Sequence, residues 1–234
     1  MTEQLPNQQK QAYERKKTSY FSKFALVHMS EMKILKKGGV LGKENIDWRN
    51  VSEHCLVEAV GADILAERLG ANRENVVQGT LLHDWYKRHE IDAKRKHGGK
   101  EGYAISSAED ERLLKELGIP ENIIRIAHSN IPESDELKYL TGRPLEEKII
   151  HYMDMITDQS DFTNPEERLR KVEANPATMQ FLESFREKYH GKHLNELQRD
   201  VLKLEQTEFE EKLGLEKGTL IAFLKAELQK RIEG

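Results

Sequence analysis

Apolar residues in this chain recur every three or four positions, segment after segment, and no segment alternates convincingly with the period of two that a one-sided strand requires. Helices are the only regular structure that pattern serves, and the punctuation between segments agrees. From Tyr13 to Lys37, Phe21, Phe24, Ala25, His28, Met32 and Leu35 fall on one helical side, and Gly38-Gly39 supplies the stop. A glycine-containing loop then runs to Ile46-Asp47-Trp48. Asn50, with Glu53 three residues on, has capping-box spacing ahead of Val51, Cys55, Ala59 and Leu65, and Gly70 closes that helix. Asn72 opens the next, through Val76, Val77, Thr80, Leu81 and Leu82 to His83-Asp84-Trp85. Ser106 and Ser107, ahead of Glu109 and Asp110, predict a helix start, and Gly118 its end. Pro120 suits the first turn of a helix reaching His128, which Ile131-Pro132 breaks, and Pro144 starts another over Leu145 to Asp158. Past Asn164-Pro165, Phe181, Phe185 and Tyr189 form one stripe, read as core, and Ile221, Leu224 and Leu228 another. The expected architecture is an all-α helical bundle. A frayed tail and helix occupy residues 1–46, the chemistry-bearing part spans 47–160, and a helical extension covers 161–234.

Composition narrows the class. Of 234 residues, 33% are charged and 37% hydrophobic, as suits amphipathic helices with solvated outer faces. A single cysteine, Cys55, excludes an intramolecular disulfide and fits a reducing compartment. No apolar run approaches the ~18 residues of a membrane span, and MTEQLPNQQKQAYERKK contains no signal-like apolar stretch, so a cytoplasmic location is expected. A net charge of −4 argues against a whole-molecule nucleic-acid binder. The balance is uneven, however. KRHEIDAKRKHGGK, residues 87–100, holds six Lys/Arg against two Asp/Glu. Its glycines and like charges predict a mobile loop, which could serve as an anion-attracting lid.

That stretch follows the most informative residues. His54 and His83 lie 29 positions apart, on successive helices, with Asp84 adjacent to the second and Asp154 on a later helix. Two imidazoles and two carboxylates make a mixed nitrogen–oxygen set suited to a borderline or hard divalent ion, with positions left for water and a phosphate oxygen. Each residue also has a plainer reading. His54 alone fits a satisfied core histidine, and His83-Asp84 a surface or capping pair. Asp154 competes with Asp158 and His151 on the same helical side, but its flanks Ile149-Ile150 and Met155-Ile156 favour it. Lys87 shares a face with His83 and Asp84, and could equally be a solvated lysine at a helix end. His128 suits a group supporting the ligands, a phosphate contact, a general acid, or a histidine favoured by a helix C-terminus.

The ordered set H54…H83-D84…D154, with LLHDWYK around the central pair, resembles the HD superfamily of metal-dependent phosphohydrolases. VSEHCLVEAVGADILAERLG, VVQGTLLHD and EKIIHYMDMI resemble its three ligand-bearing helices, so the likeness covers about residues 47–160. It implies an HD-domain-like helical bundle with N- and C-terminal extensions. It also implies one divalent ion (Mn, Fe, Ni, Co, Zn or Mg) held by His54, His83, Asp84 and Asp154. Tyr103 stands where two-metal families carry a further histidine, which favours a single-metal site. Lys87 matches the lysine of the HD-x-x-K form, while Trp85-Tyr86 replaces the acidic pair of guanosine tetraphosphate hydrolases.

The resulting expectation is a hydrolase acting on a phosphomonoester or nucleotide through metal-activated water. Asp84, Lys87 and His128 would be catalytic, and Lys87, Arg88 and His128 would contact substrate. The partner would be a small phosphorylated molecule, not nucleic acid or membrane, and a homo-oligomer is compatible with it. Two alternatives stand beside this reading: a non-catalytic metal-binding helical sensor or partner-binding module, and a nucleotide phosphodiesterase.

Overall fold

The computed structural model describes residues 7–40, 49–129 and 142–234. The expected loop to Trp48 and the break at Ile131-Pro132 lie outside these residues. Helices α1 (Asn7–Val27) and α2 (Met29–Lys37) lead to α3 (Arg49–Leu69), α4 (Arg73–Leu82), α5 (Lys87–His97), α6 (Gly99–Glu116) and α7 (Glu121–Ala127). Next come α8 (Leu145–Ile156) and a hairpin of β1 (Thr157–Asp158) and β2 (Asp161–Phe162). The chain continues through α9 (Pro165–Glu173), α10 (Pro176–Glu183), α11 (Leu194–Leu213) and α12 (Leu220–Glu233). The described chain is all-α apart from that hairpin, in which Thr157 pairs antiparallel with Phe162 and Asp158 with Asp161. Two residues per strand are too few for a period of two to show in the sequence.

Most boundaries have local causes. Gly70, at φ 74°, ends α3 in the left-handed region that favours glycine. The Asn72 side chain accepts the Asn75 N–H at 3.1 Å and caps α4. Pro144 precedes α8, and Asn164-Pro165 supplies both cap and first turn of α9. The expected helix over 13–37 is divided at His28, whose backbone leaves the helical region (φ −105°, ψ 41°). The hydrogen-bond ladder carries across it, from His28 N–H to the Phe24 carbonyl and from Met32 N–H to the His28 carbonyl. Asn50 lies within the first turn of α3 rather than ahead of it.

The largest departure concerns residues 87–100. They form helix α5 and the turn into α6, not a mobile loop. Lys94 pairs with Glu90 one turn back at 2.5 Å, and none of α5 is fully buried, so its like charges remain solvated. Gly98 (φ 86°) makes the turn. At Gly102 a Cβ would come within 2.3 Å of the Ala93 carbonyl oxygen, so only glycine lets α6 lie against the backbone of α5. Ser106 and Ser107 consequently sit inside α6, where the Ser106 hydroxyl donates to the Tyr103 carbonyl at 2.9 Å instead of capping a helix start.

One apolar cluster joins α3 (Val60, Ile64, Leu65) to α8 (Ile149, Ile150, Met153), α11 (Leu202, Phe209) and α12 (Leu220, Leu224, Leu228). Tyr20 and Phe21 of α1 pack against it. A second cluster gathers Leu35, Cys55, Leu82, Trp85, Leu114 and Ile123. Segments before residue 47 and after residue 160 are thus built onto the central helices through shared core. Helix α3 runs between the clusters, and its packing against α4 and α8 carries the candidate site.

Candidate metal centre

His54 and Glu58 stand one turn apart on α3, His83 ends α4, and Asp154 lies in the last turn of α8. These four can each offer one ligand atom, all within 4.8 Å of one another, and form a cluster that could hold a metal ion. His54 Nε2 lies 3.2 Å from Glu58 Oε2 and 3.2 Å from Asp154 Oδ1. His83 Nε2 lies 3.3 Å from Glu58 Oε2 and 3.9 Å from Asp154 Oδ1. Donors bound to one ion at ~2.0–2.2 Å fall about 3.0–3.6 Å apart, so three of these four spacings match a shared ion and the fourth needs a small inward shift.

The hydrogen bonding fits a cation better than a network closed on itself. The Thr80 carbonyl can only accept, so the 2.7 Å contact places a proton on His83 Nδ1, and in the neutral ring Nε2 then carries the lone pair. That lone pair faces the Glu58 carboxylate. Glu58 is fully buried, and neither of its oxygens receives a hydrogen bond. Two buried acceptors aimed at one another are costly unless a proton or a metal cation lies between them.

Burial, reinforced by the Asp154 and Asp84 charges, pushes the Glu58 carboxyl well above the usual carboxylate range. For Asp154, burial acts upward, but Arg168 and the His54 hydrogen bond hold the carboxyl well below that range. Arg168 Nη2 donates to Asp154 Oδ1 at 3.1 Å and Nη1 to the Thr157 carbonyl at 2.5 Å, which fixes the carboxylate from α9. Burial lowers the His54 imidazole, and Asp154 opposes that fall.

Asp84 sits at the rim. Its Oδ2 is 3.7 Å from His83 Nε2, and its Oδ1 is 3.3 Å from Lys87 Nζ. Burial would raise this carboxyl, yet Lys87 and His83 hold it below its ordinary value. The Asp84 charge in turn raises Lys87 against the opposing effect of burial, keeping the ammonium charged.

His83, Asp84, Lys87, His128 and Asp154 all line a cavity of about 220 Å³. His128 Nε2 is 3.0 Å from Asp110 Oδ2, and the Trp85 indole donates to Asp110 Oδ1 at 2.5 Å. Arg88, expected to contact substrate, does not reach the described cavity wall. One residue beyond Lys87 on a helix is turned by about 100°, which points it away. Asp158 pairs instead with Lys171, and His151 with Glu205 at 2.7 Å, so Asp154 is the acid of that helix at the cluster.

Sequence reasoning missed Glu58, Arg168 and Asp110. Glu58 had a signal: a carboxylate four residues after His54, set among Val57, Ala59 and Val60, is a second donor on the same buried face. Arg168 and Asp110 had none, since each acts on a residue at least 14 positions away across a helix contact.

Comparison with protein-family models, with curated proteins and with solved structures gives no significant match to the chain. Among the described residues, no helix is long and apolar enough to cross a membrane.

Proposed function

We propose that this chain is a metal-dependent phosphohydrolase of the HD type, acting on a small phosphate ester. The observation that carries the reading is the meeting of His54, Glu58, His83 and Asp154 beside a cavity that Lys87 and His128 also line. A divalent ion bound there would lower the pKa of a water ligand and polarise a phosphorus–oxygen bond. Lys87, held charged by Asp84, neutralises an incoming phosphate. Asp84, at the rim, accepts a proton from water entering the site. His128, oriented by Asp110, donates a proton to the leaving oxygen. Arg168 keeps Asp154 ionised and facing the cluster.

The test combines metal analysis with turnover. Purified protein should contain or take up a divalent ion and release phosphate from phosphomonoesters with at least one of Mn²⁺, Mg²⁺, Ni²⁺ and Co²⁺. A folded His83→Ala/Asp84→Ala double variant should lose both properties. Full metal occupancy in that variant would overturn the ligand assignment. Metal binding with no turnover for any ion would favour the non-catalytic module, and hydrolysis of diesters alone would favour a phosphodiesterase.

A further inference from the structure

A second cavity, of about 340 Å³, shares no lining residue with the one beside the cluster and falls within the ~300–1,000 Å³ of ligand-sized pockets. One face of α11 is its floor, where Arg199, Leu202, Lys203, Gln206, Thr207 and Glu210 fall at helical spacing. Glu166 and Leu169 of α9 make one wall, and Lys217-Gly218, ahead of α12, the other. Gly214 (φ 64°) and Gly218 (φ 84°) turn the chain back after α11. That turn brings the Gly218 and Leu220 N–H groups to Glu210 Oε1 at 2.8 and 3.1 Å, where the Gln206 amide also donates at 2.9 Å.

The lining is largely apolar although charged residues surround it. Leu169 and Leu202 belong to the main core cluster, and the stems of the lysines and Arg199 extend that surface. The rim charges differ in what they already bind. Glu166 pairs with Arg199 and Arg170, Arg199 also holds Glu173, and Glu210 is only 3% exposed among its three donors. Lys203 and Lys217 are exposed and form no ion pair among the described residues. A bare anion would leave the apolar floor uncovered, and a hydrocarbon alone would leave both ammonium groups without a partner. An anion with an apolar body satisfies both.

The groove also reaches the candidate metal centre through one helix. Glu166 and Leu169 of α9 face the groove, while Arg168 turns to Asp154. A ligand seated between α9 and α11 therefore braces the helix that holds this carboxylate.

We propose that the groove binds a medium-chain carboxylate, its head at Lys203 and Lys217 and its chain over Leu169 and Leu202, and that filling the groove strengthens ion binding at the cluster. The second half rests on the metal reading; the first does not.

The whole chain is titrated with octanoate, acetate and 1-octanol and followed by methyl NMR. Octanoate should give saturable shifts at Leu169, Leu202 and Thr207, with a Kd about tenfold or more below that of acetate, which lacks the chain. Lys203→Met and Lys217→Met keep the stems and remove the charges. Combined, they should weaken octanoate about 4- to 25-fold and leave 1-octanol within about twofold. Circular dichroism checks that this double variant is folded, and the octanoate–acetate comparison needs no variant. Shifts outside the groove, equal Kd for octanoate and acetate, or an octanoate Kd unchanged in the double variant overturns the site.

Chelator competition with Mn²⁺ tests the second half. Saturating octanoate should tighten ion binding about fivefold or more in wild type, and not in the double variant. Unchanged or weaker affinity overturns the coupling and leaves the groove. Tightening that persists in the double variant puts the carboxylate at the ion and overturns the coupling as well. No ion binding, with or without octanoate, overturns the metal reading and the coupling together, while the NMR titration still decides the groove.

Discussion

Glu58→Gln separates a metal ligand from a buried structural acid, because the first role costs stability only when metal is present and the second costs it with or without metal. Glu58 is fully buried, and its Oε2 lies 3.2 and 3.3 Å from two imidazole nitrogens without hydrogen bonding to either. Glutamine keeps the shape and removes the anion. At a metal concentration 100 times Kd, binding stabilises the wild type by about 2.7 kcal/mol. For a chain of this length that corresponds to a gain of about 5–11 °C in Tm. If losing an anionic ligand weakens binding about a hundredfold, the same metal concentration sits near the variant's Kd. It then contributes only ~0.4 kcal/mol, about 1–2 °C. Without metal, burial favours the neutral carboxyl of Glu58, whose shape the amide keeps, so the substitution should change stability by about 1 kcal/mol or less. The assay is thermal unfolding of chelator-stripped protein with and without Mn²⁺. An equal metal-dependent gain in both proteins would refute the ligand role. A loss of ~3–5 kcal/mol in the variant, with or without metal, would mark Glu58 as half of a structural ion pair.

Arg168→Met should weaken metal binding about tenfold in chelator competition, as expected when the partner of a ligating carboxylate is removed; unchanged or tighter binding would deny it an orienting role. Asp110→Asn keeps an oxygen for the Trp85 indole but turns an N–H toward His128, so kcat should fall about 10- to 100-fold with little change in KM; an unchanged kcat would remove the Asp110–His128 pair from proton transfer. Asp63 is nearly buried, and although burial acts upward, hydrogen bonds from Arg73 and Arg231 hold its carboxyl below the ordinary range. Because the folded value lies below the unfolded one of about 3.9, its contribution is complete above that pH and is lost as pH falls through the folded value. Asp63→Asn should therefore flatten the acid side of a urea-denaturation stability curve below about pH 4, and an unchanged acid slope would contradict the assignment.

The helices were legible wherever their ends are governed by neighbours in sequence. Asn72, Gly70, Pro144 and Asn164-Pro165 act within a few residues, and each begins or ends an element as the residue types imply. The reading failed where a glycine serves a distant contact. Gly98-Gly99 and the like charges of residues 87–100 predict a loop, whereas Gly98 makes a turn between two helices that Gly102 lets pack backbone to backbone. The meeting of His54, His83 and Asp154 in one cluster was legible because a shared ion would demand those residue types in buried helical settings. Asp84, expected as a full member of that set, lies at its edge and is drawn toward Lys87. The stripe of Phe181, Phe185 and Tyr189 was expected on one helix, but that helix ends at Glu183. Tyr189 is buried against Leu197 and Val201 with Phe185 packed on that cluster, and Phe181 and Phe185 also reach the cavity beside the metal cluster.

The bond from Arg168 to Asp154 makes ion loading and C-terminal docking conjugate equilibria. Any free energy that docked α9 lends to the ion through Asp154, a bound ion must return to the docking of α9, by thermodynamic reciprocity. Loading the cluster should thus be felt as slower local opening of residues 165–173, at a distance from the histidines. Substitutions in that helix that touch no ligand could likewise retune ion affinity. Residues 161–234 are therefore more than an appendage to the candidate metal cluster: Arg168 holds one of its four donors in place, and dividing the chain at residue 160 would leave Asp154 without the guanidinium that lowers its carboxyl.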